Sequence, residues 1–257
     1  MVGVAGAEIE TQIAFLRECC LPPLLDRINQ GGIHEHGCLE NGRDGYGRIE
    51  AEFLYCFIVA KRPRKIVQIG CGVSTAVILL AAKDANYKPH IVCVDPYPTE
   101  YLTRIAKDGQ IQLIAEPAQE VDLQVLTSLA AGDLFFVDSS HTMRPGSEVN
   151  RIILEVLPRL PSGSLAHFHD IYFPYDYQSR VMTTLFFGGE SSLLHAFLID
   201  NRRCSIAISL SMLHHACPQE LQSIFPSYQP AVMRHGLHTM REGSSGHFPS
   251  ATYLTVA

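Results

Sequence analysis

The segment IVQIGCGVS at residues 66–74 constrains this chain most. An apolar run of strand character ends in Gly70-Cys71-Gly72, and a helical pattern follows at once. Glycine there permits a tight turn and lets backbone approach a ligand closely. The next helix offers unpaired N–H groups to an anion. A second run, HIVCVD at 90–95, closes on Asp95, 23 residues after Gly72. A carboxylate at that spacing suits a ribose diol. The competing reading of Asp95 is a helix N-cap, since Pro96 and Thr99-Glu100 follow.

The pattern around this turn predicts an α/β protein. Strands are expected at 65–69, 90–94, 110–115, 133–137 and 163–168, and helices at 74–84, 99–107, 121–130 and 147–158. Five such repeats imply a parallel sheet with helices on both faces. Upstream, residues 8–29 read as helical with a break at Pro22-Pro23, 30–47 as a Gly-rich polar loop, and 48–61 as an amphipathic helix. Downstream come a helical stretch after 178, a strand near 203–209, a helix near 217–224 and a last strand near 251–256. The Gly/Ser-rich segment 242–246 is expected to turn into that strand. Residues 1–47 are expected to be an extension serving as lid or oligomer contact, and 48–257 the main domain. A homodimer is left open.

Composition narrows the function classes. The chain has 257 residues, 47% hydrophobic, enough for a sizeable core. Net charge is −6 with no lysine-rich run, which argues against nucleic acid or an anionic membrane as partner. Eight cysteines without a C-x-x-C pair or a secretory signal predict reduced thiols in a cytoplasmic protein.

In such sheets ligands bind beyond the carboxyl ends of the strands. Asp95-Pro96-Tyr97, Glu116-Pro117-Ala118-Gln119, Asp138-Ser139-Ser140-His141 and His167-Phe168-His169-Asp170 all fall there. Asp138 and Asp170 end adjacent strands, and two carboxylates so placed repel unless a cation or proton lies between them. Asp138, His169 and Asp170 are therefore the expected metal ligands, for Mg²⁺, Mn²⁺ or Fe²⁺. The alternative for Asp138 is a cap satisfied by Ser139 and Ser140. His141 is either a proton acceptor or a loop hydrogen bonder. Strand alternation puts His167 and His169 on one face and Phe168 and Asp170 on the other, so His167 is expected in the core. His34, His36, His214 and His215 are expected in loops or at the surface.

The run from Phe136 to Tyr177, FVDSSH…RPGSEVN…EVLPRL…LAHFHDIYFPYDY, together with YGRIEAEFLYCFI at 46–58, resembles a bacterial branch of the class I S-adenosylmethionine-dependent methyltransferases. The resemblance implies a Rossmann-like doubly wound α/β sheet of seven strands, the last antiparallel. It implies that Gly70, Gly72 and Ser74 wrap the methionine part of S-adenosylmethionine, Asp95 binds the ribose and Gln119 meets the adenine edge. Gln68 stands where the family usually has an acid for the cofactor's amino group. The rim also resembles the metal-dependent catechol-type O-methyltransferases, with His141 where those carry a catalytic lysine, which implies Asp138 and His141 as catalytic groups. The implied reaction is methyl transfer to a hydroxyl of a small molecule, such as a sugar, a phenol or a natural-product scaffold, with 30–47 and 173–177 over the acceptor pocket. Two alternatives stay open: a non-methylating metal enzyme on this fold, and an inactive binding protein.

Overall fold

The computed structural model describes residues 1–175, 189–231 and 246–257. Seven strands form one sheet in the order β3-β2-β1-β4-β5-β7-β6. They are β1 (Lys65–Ile69), β2 (His90–Val94), β3 (Gln112–Ile114), β4 (Leu134–Val137), β5 (Leu165–Phe168), β6 (Cys204–Ser209) and β7 (Thr252–Val256). The first five pair in parallel, and β7 inserts antiparallel between β5 and β6. Chain order reverses between β1 and β4, so their carboxyl ends flank the crevice where such sheets bind ligands.

Successive strand residues feed opposite faces, as the pleat requires. Ile66, Phe136 and Leu165 join one core layer, while Val67, Phe135 and Ala166 join the other. The first layer is covered by α1 (Ile9–Cys19), α2 (Pro22–Asn29), α3 (Ile33–Asn41), α4 (Arg48–Lys61), α5 (Val73–Asp84) and α6 (Glu100–Lys107). The second is covered by α7 (Leu123–Thr127), α8 (Glu148–Arg151) with the helical turns after it, and α9 (Gly189–Leu198). Two further helices, α10 (Leu210–Ala216) and α11 (Pro218–Ile224), follow β6.

Several expectations are corrected. Residues 30–47 are not one loop, because α3 occupies Ile33–Asn41. Its one glycine lowers helix propensity, but Gly37 lets α3 lie close on α5: a Cβ there would stand 2.9 Å from Val73 Cγ1. Helix α4 is not amphipathic, since every residue from Ile49 to Ile58 is buried. The helix expected over 121–130 is only Leu123–Thr127. The one over 147–158 starts as α8, widens to a π turn at Ile152–Val156 and tightens at Leu157–Arg159, where Pro158 cannot donate. His34 lies in α3, and His214 is buried with its Nδ1 2.6 Å from the Tyr228 hydroxyl, so neither is a loop residue. Residues 176–177 of the expected lid and 242–245 of the expected turn lie outside the described residues.

The N-terminal extension is packed into the same body. Ile206 N–H donates to Ala5 O at 2.9 Å, covering the β6 edge. Buried Gln12 donates to Gly6 O at 3.1 Å and accepts from Ser209 N–H at 2.9 Å. All eight cysteines are free thiols, and no described helix is long and apolar enough to cross a membrane.

Candidate active site

The turn after β1 is built around Gln68. Its buried amide donates to Ser74 Oγ at 2.7 Å and accepts from Thr75 Oγ1 at 3.0 Å, while Thr75 Oγ1 accepts from Gly72 N–H at 3.1 Å. An amide supplies a donor and an acceptor at once, whereas an ionised carboxylate accepts only. Gln68 and the Ser74 hydroxyl therefore face inward and clamp the turn. The expected contact of Gln68 with the cofactor's amino group is not served by a side chain so engaged. Gly70 has φ +75° and Gly72 φ +151°, both in the region that favours glycine.

Asp95 ends β2 as expected and is not an N-cap; Thr99 caps α6 instead. One Asp95 oxygen accepts from Cys71 N–H at 3.1 Å and the other from Tyr97 N–H at 2.8 Å, which ties the acid to the glycine turn. A cleft of about 380 Å³ opens over these strand ends, lined by Gly70, Asp95, Tyr97, Gln119, Asp138 and Arg144 among others. A groove of similar volume between α3, α5 and α6 lies away from the strand ends.

Beside the cleft lies a charged cluster. Asp138 Oδ1 is 3.1 Å from His169 Nδ1 and 3.4 Å from His141 Nε2. One donor atom from each of Asp138, His141 and His169 lies within 4.8 Å of the others. His169 follows β5, and Asp170 adopts φ +53°, which turns the chain and swings its carboxylate back toward both imidazoles, at 3.7 Å from His141 and 3.8 Å from His169. Strand alternation alone would have sent it to the other face. Asp170 Oδ1 also accepts from Ser250 Oγ at 2.8 Å. The nearest trio is thus Asp138, His141 and His169, with Asp170 beside it, rather than Asp138, His169 and Asp170. His141, also at positive φ (+57°), is 2.7 Å through Nδ1 from Glu190 Oε2. Non-glycine residues held in this conformation are costly and concentrate at functional sites.

The electrostatics follow from this crowding. Burial works against charge on Asp138, but His169 and His141 outweigh it and hold its carboxyl well below the usual range. Burial likewise opposes charge on His141, yet hydrogen bonds to Asp138 and Glu190 and the nearby carboxylates push it up to about 10. His169 is pushed up to about 9 against its own burial by Asp138 and Asp170. Burial raises Glu190 and Glu50, partly offset by His141 and His169 respectively. Without a cation these neighbours favour the charged form of both imidazoles, which works against His141 as a free proton acceptor.

His167 is a core residue, as expected. It stacks on Phe136 at 3.9 Å, its Nε2 is 3.0 Å from the Tyr46 hydroxyl, and burial drives its pKa well down. Sequence reasoning missed Glu190 and Glu50. Glu50 could have been noticed as an acid inside the apolar run of α4; it accepts from Ser250 N–H at 2.9 Å. Glu190 carries no local signal.

Residues 67–171 match the family Methyltransf_24, described as a methyltransferase domain. An uncharacterized protein of Archaeoglobus fulgidus is 31% identical over 121 residues, 46% of this chain and 53% of that protein, so the chain spans about half the length of the curated relative it matches. Among solved structures, cofactor-bound Rv0187 from MTB superposes with TM-score 0.50 at 12% identity, covering 92% of this chain and 90% of that one. The S-adenosylmethionine complex of TomG, an O-methyltransferase of Streptomyces achromogenes involved in tomaymycin synthesis, gives TM-score 0.49 at 14% identity with the same two coverages, 92% and 90%. At 12% identity the likeness to Rv0187 speaks to fold alone.

Proposed function

We propose, from the match of residues 67–171 to a methyltransferase domain, that this chain is a class I S-adenosylmethionine-dependent methyltransferase that transfers a methyl group from S-adenosylmethionine to a hydroxyl of a small molecule, with a divalent cation assisting. The observation that carries this is the continuity of the cleft. Gly70, Asp95 and Gln119 line it at one end and Asp138 lines it beside His141 and His169.

Asp95 grips the ribose diol, Gly70 and Gly72 let backbone approach the methionine portion, and Gln119 meets the adenine edge. Asp138, His141 and His169 fit a cation: three donor atoms already converge, and two imidazoles with a carboxylate suit Mn²⁺ or Fe²⁺ better than Mg²⁺. When bound, such a cation acidifies a hydroxyl, as it lowers the pKa of water to about 7. The charge balance supports the same residues. In the metal-free arrangement two imidazolium charges answer the surrounding carboxylates, and a divalent cation brings the same charge. His141 is then assigned first as a ligand, because its Nε2 faces Asp138 and its Nδ1 is occupied by Glu190. The cleft aligns acceptor oxygen, methyl and sulfur, and alignment supplies roughly 7–11 kcal/mol in favourable cases. The acceptor is a small molecule such as a sugar or a phenol. Gln68, whose departure from the family pattern had favoured an inactive binding protein, has a structural reason to be an amide.

The test is calorimetry with S-adenosylhomocysteine, with and without Mn²⁺, followed by detection of S-adenosylhomocysteine release over a panel of sugars and phenols. Micromolar binding and release with at least one hydroxyl acceptor are expected. Absence of any binding of S-adenosylhomocysteine refutes the proposal.

A further inference from the structure

Glu190 is an odd acid. It lies in the first turn of α9, far in sequence from every strand-end motif, and only 1% of it is exposed. Its Oε2 meets His141 Nδ1 at 2.7 Å, and its Oε1 is buried with no hydrogen-bond partner among the described residues. A buried carboxylate costs free energy that a packing residue of the same size would not. An imidazole that gives its Nδ1 proton to a carboxylate is left to act through Nε2. Here Nε2 is the atom that points at Asp138 Oδ1, 3.4 Å away, and at Asp170 Oδ2, 3.7 Å away. The ring is thus held from behind by Glu190 and aimed forward at the trio.

We propose that Glu190 is the positioning residue of the cation site: it fixes the tautomer and direction of the His141 ring, so that Nε2 joins Asp138 and His169 in holding a divalent cation. The inference rests on reading that trio as a metal site. Metal-bound histidines commonly donate their second N–H to a carboxylate, and loss of that partner weakens metal binding by about 10–100-fold. Glu190 does this from α9, which lies between β5 and β6 in the chain, so the site is complete only when α9 is docked.

The experiment is Mn²⁺ titration by electron paramagnetic resonance on the full chain, in the wild type, Glu190→Gln and Glu190→Met. Gln keeps a side-chain acceptor for Nδ1–H; Met fills the space without one. Glu190→Met is expected to weaken Mn²⁺ by about 10–100-fold, Glu190→Gln by much less, and neither should change S-adenosylhomocysteine affinity. A folded Glu190→Met protein that binds Mn²⁺ as tightly as the wild type overturns the proposal, as does Glu190→Gln losing as much as Met. Nitrogen-15 spectra of the His141 ring give a second measurement, independent of metal and of the Met variant. At a pH where the His141 ring is neutral, a proton on Nδ1 with none on Nε2 supports the proposal, and the opposite tautomer overturns it. A wild type that binds no Mn²⁺ while Nδ1 is protonated refutes the metal reading and leaves Glu190 only as the holder of His141.

Discussion

Gly70→Ala probes how the cleft is built. Gly70 adopts φ +75°, where an L-residue costs about 1–2 kcal/mol. Its new Cβ would fall on the Asp138 carbonyl oxygen, with the carbonyl carbon only 2.7 Å away. Relief requires the ends of β1 and β4 to part. Yet Gly70 N–H donates to Val94 O at 3.0 Å, and Asp138 N–H donates to Ile69 O at 2.8 Å, so parting them weakens at least one backbone bond. That adds about 0.5–1.5 kcal/mol, for a total near 2–3 kcal/mol. At about 2–4 °C per kcal/mol for a chain of this size, the melting temperature should fall by about 4–12 °C. Calorimetry should also show S-adenosylhomocysteine binding weakened at least about tenfold, because the displaced atoms are those that line the cleft. Gly72→Ala is the internal comparison. Its Cβ would meet the Asn41 side chain at 3.1 to 3.3 Å, a neighbour that can give, so its loss comes from the strain of an alanine at φ +151° rather than from a backbone clash. A Gly70→Ala protein that melts with the wild type and binds S-adenosylhomocysteine equally well would refute the reasoning.

Three further outcomes are expected. Asp95→Ala should weaken S-adenosylhomocysteine by roughly tenfold or more, the loss of a charged hydrogen-bonding partner being about 1.5–3 kcal/mol; unchanged affinity by calorimetry removes the ribose assignment. His141→Ala separates two roles: as a ligand it loses tight Mn²⁺ binding, whereas as a base alone it keeps Mn²⁺ and loses about 10²–10⁴ in turnover. The metal-free protein should lose stability as pH rises. His141 and His169 move from an ordinary 6.5 to about 10 and about 9 on folding. A raised folded pKa stabilises fully below the unfolded value and is lost as pH climbs through the folded one. Melting at pH 6.5 should therefore exceed melting at pH 10. Mn²⁺ must displace those protons, so its affinity should fall toward acid by up to about 100-fold per pH unit; an affinity flat between pH 6 and 8 refutes the charged-imidazole arrangement.

What the sequence by itself determined is local. The alternation in β1 and β2, the Gly70–Gly72 turn and the acid closing β2 were all legible, because strand periodicity and turn chemistry act within a few residues. The neighbouring ends of β4 and β5, with Asp138 and His169, followed from the repeat of strand and helix. The tertiary structure decided the rest. Helix α3, set between glycine-rich flanks, docks on α5 because Gly37 packs on Val73, a contact that propensity does not register. Gln68 clamps the turn because Ser74 and Thr75 bond its amide. Asp170 reaches the cluster because its own backbone turns left-handed where alternation would have carried it away. His141 is charged because Asp138, Asp170 and Glu190 converge on one buried ring from three separate segments. Burial and charge are sums over neighbours in space, and for this site those neighbours are brought together only by the closed sheet.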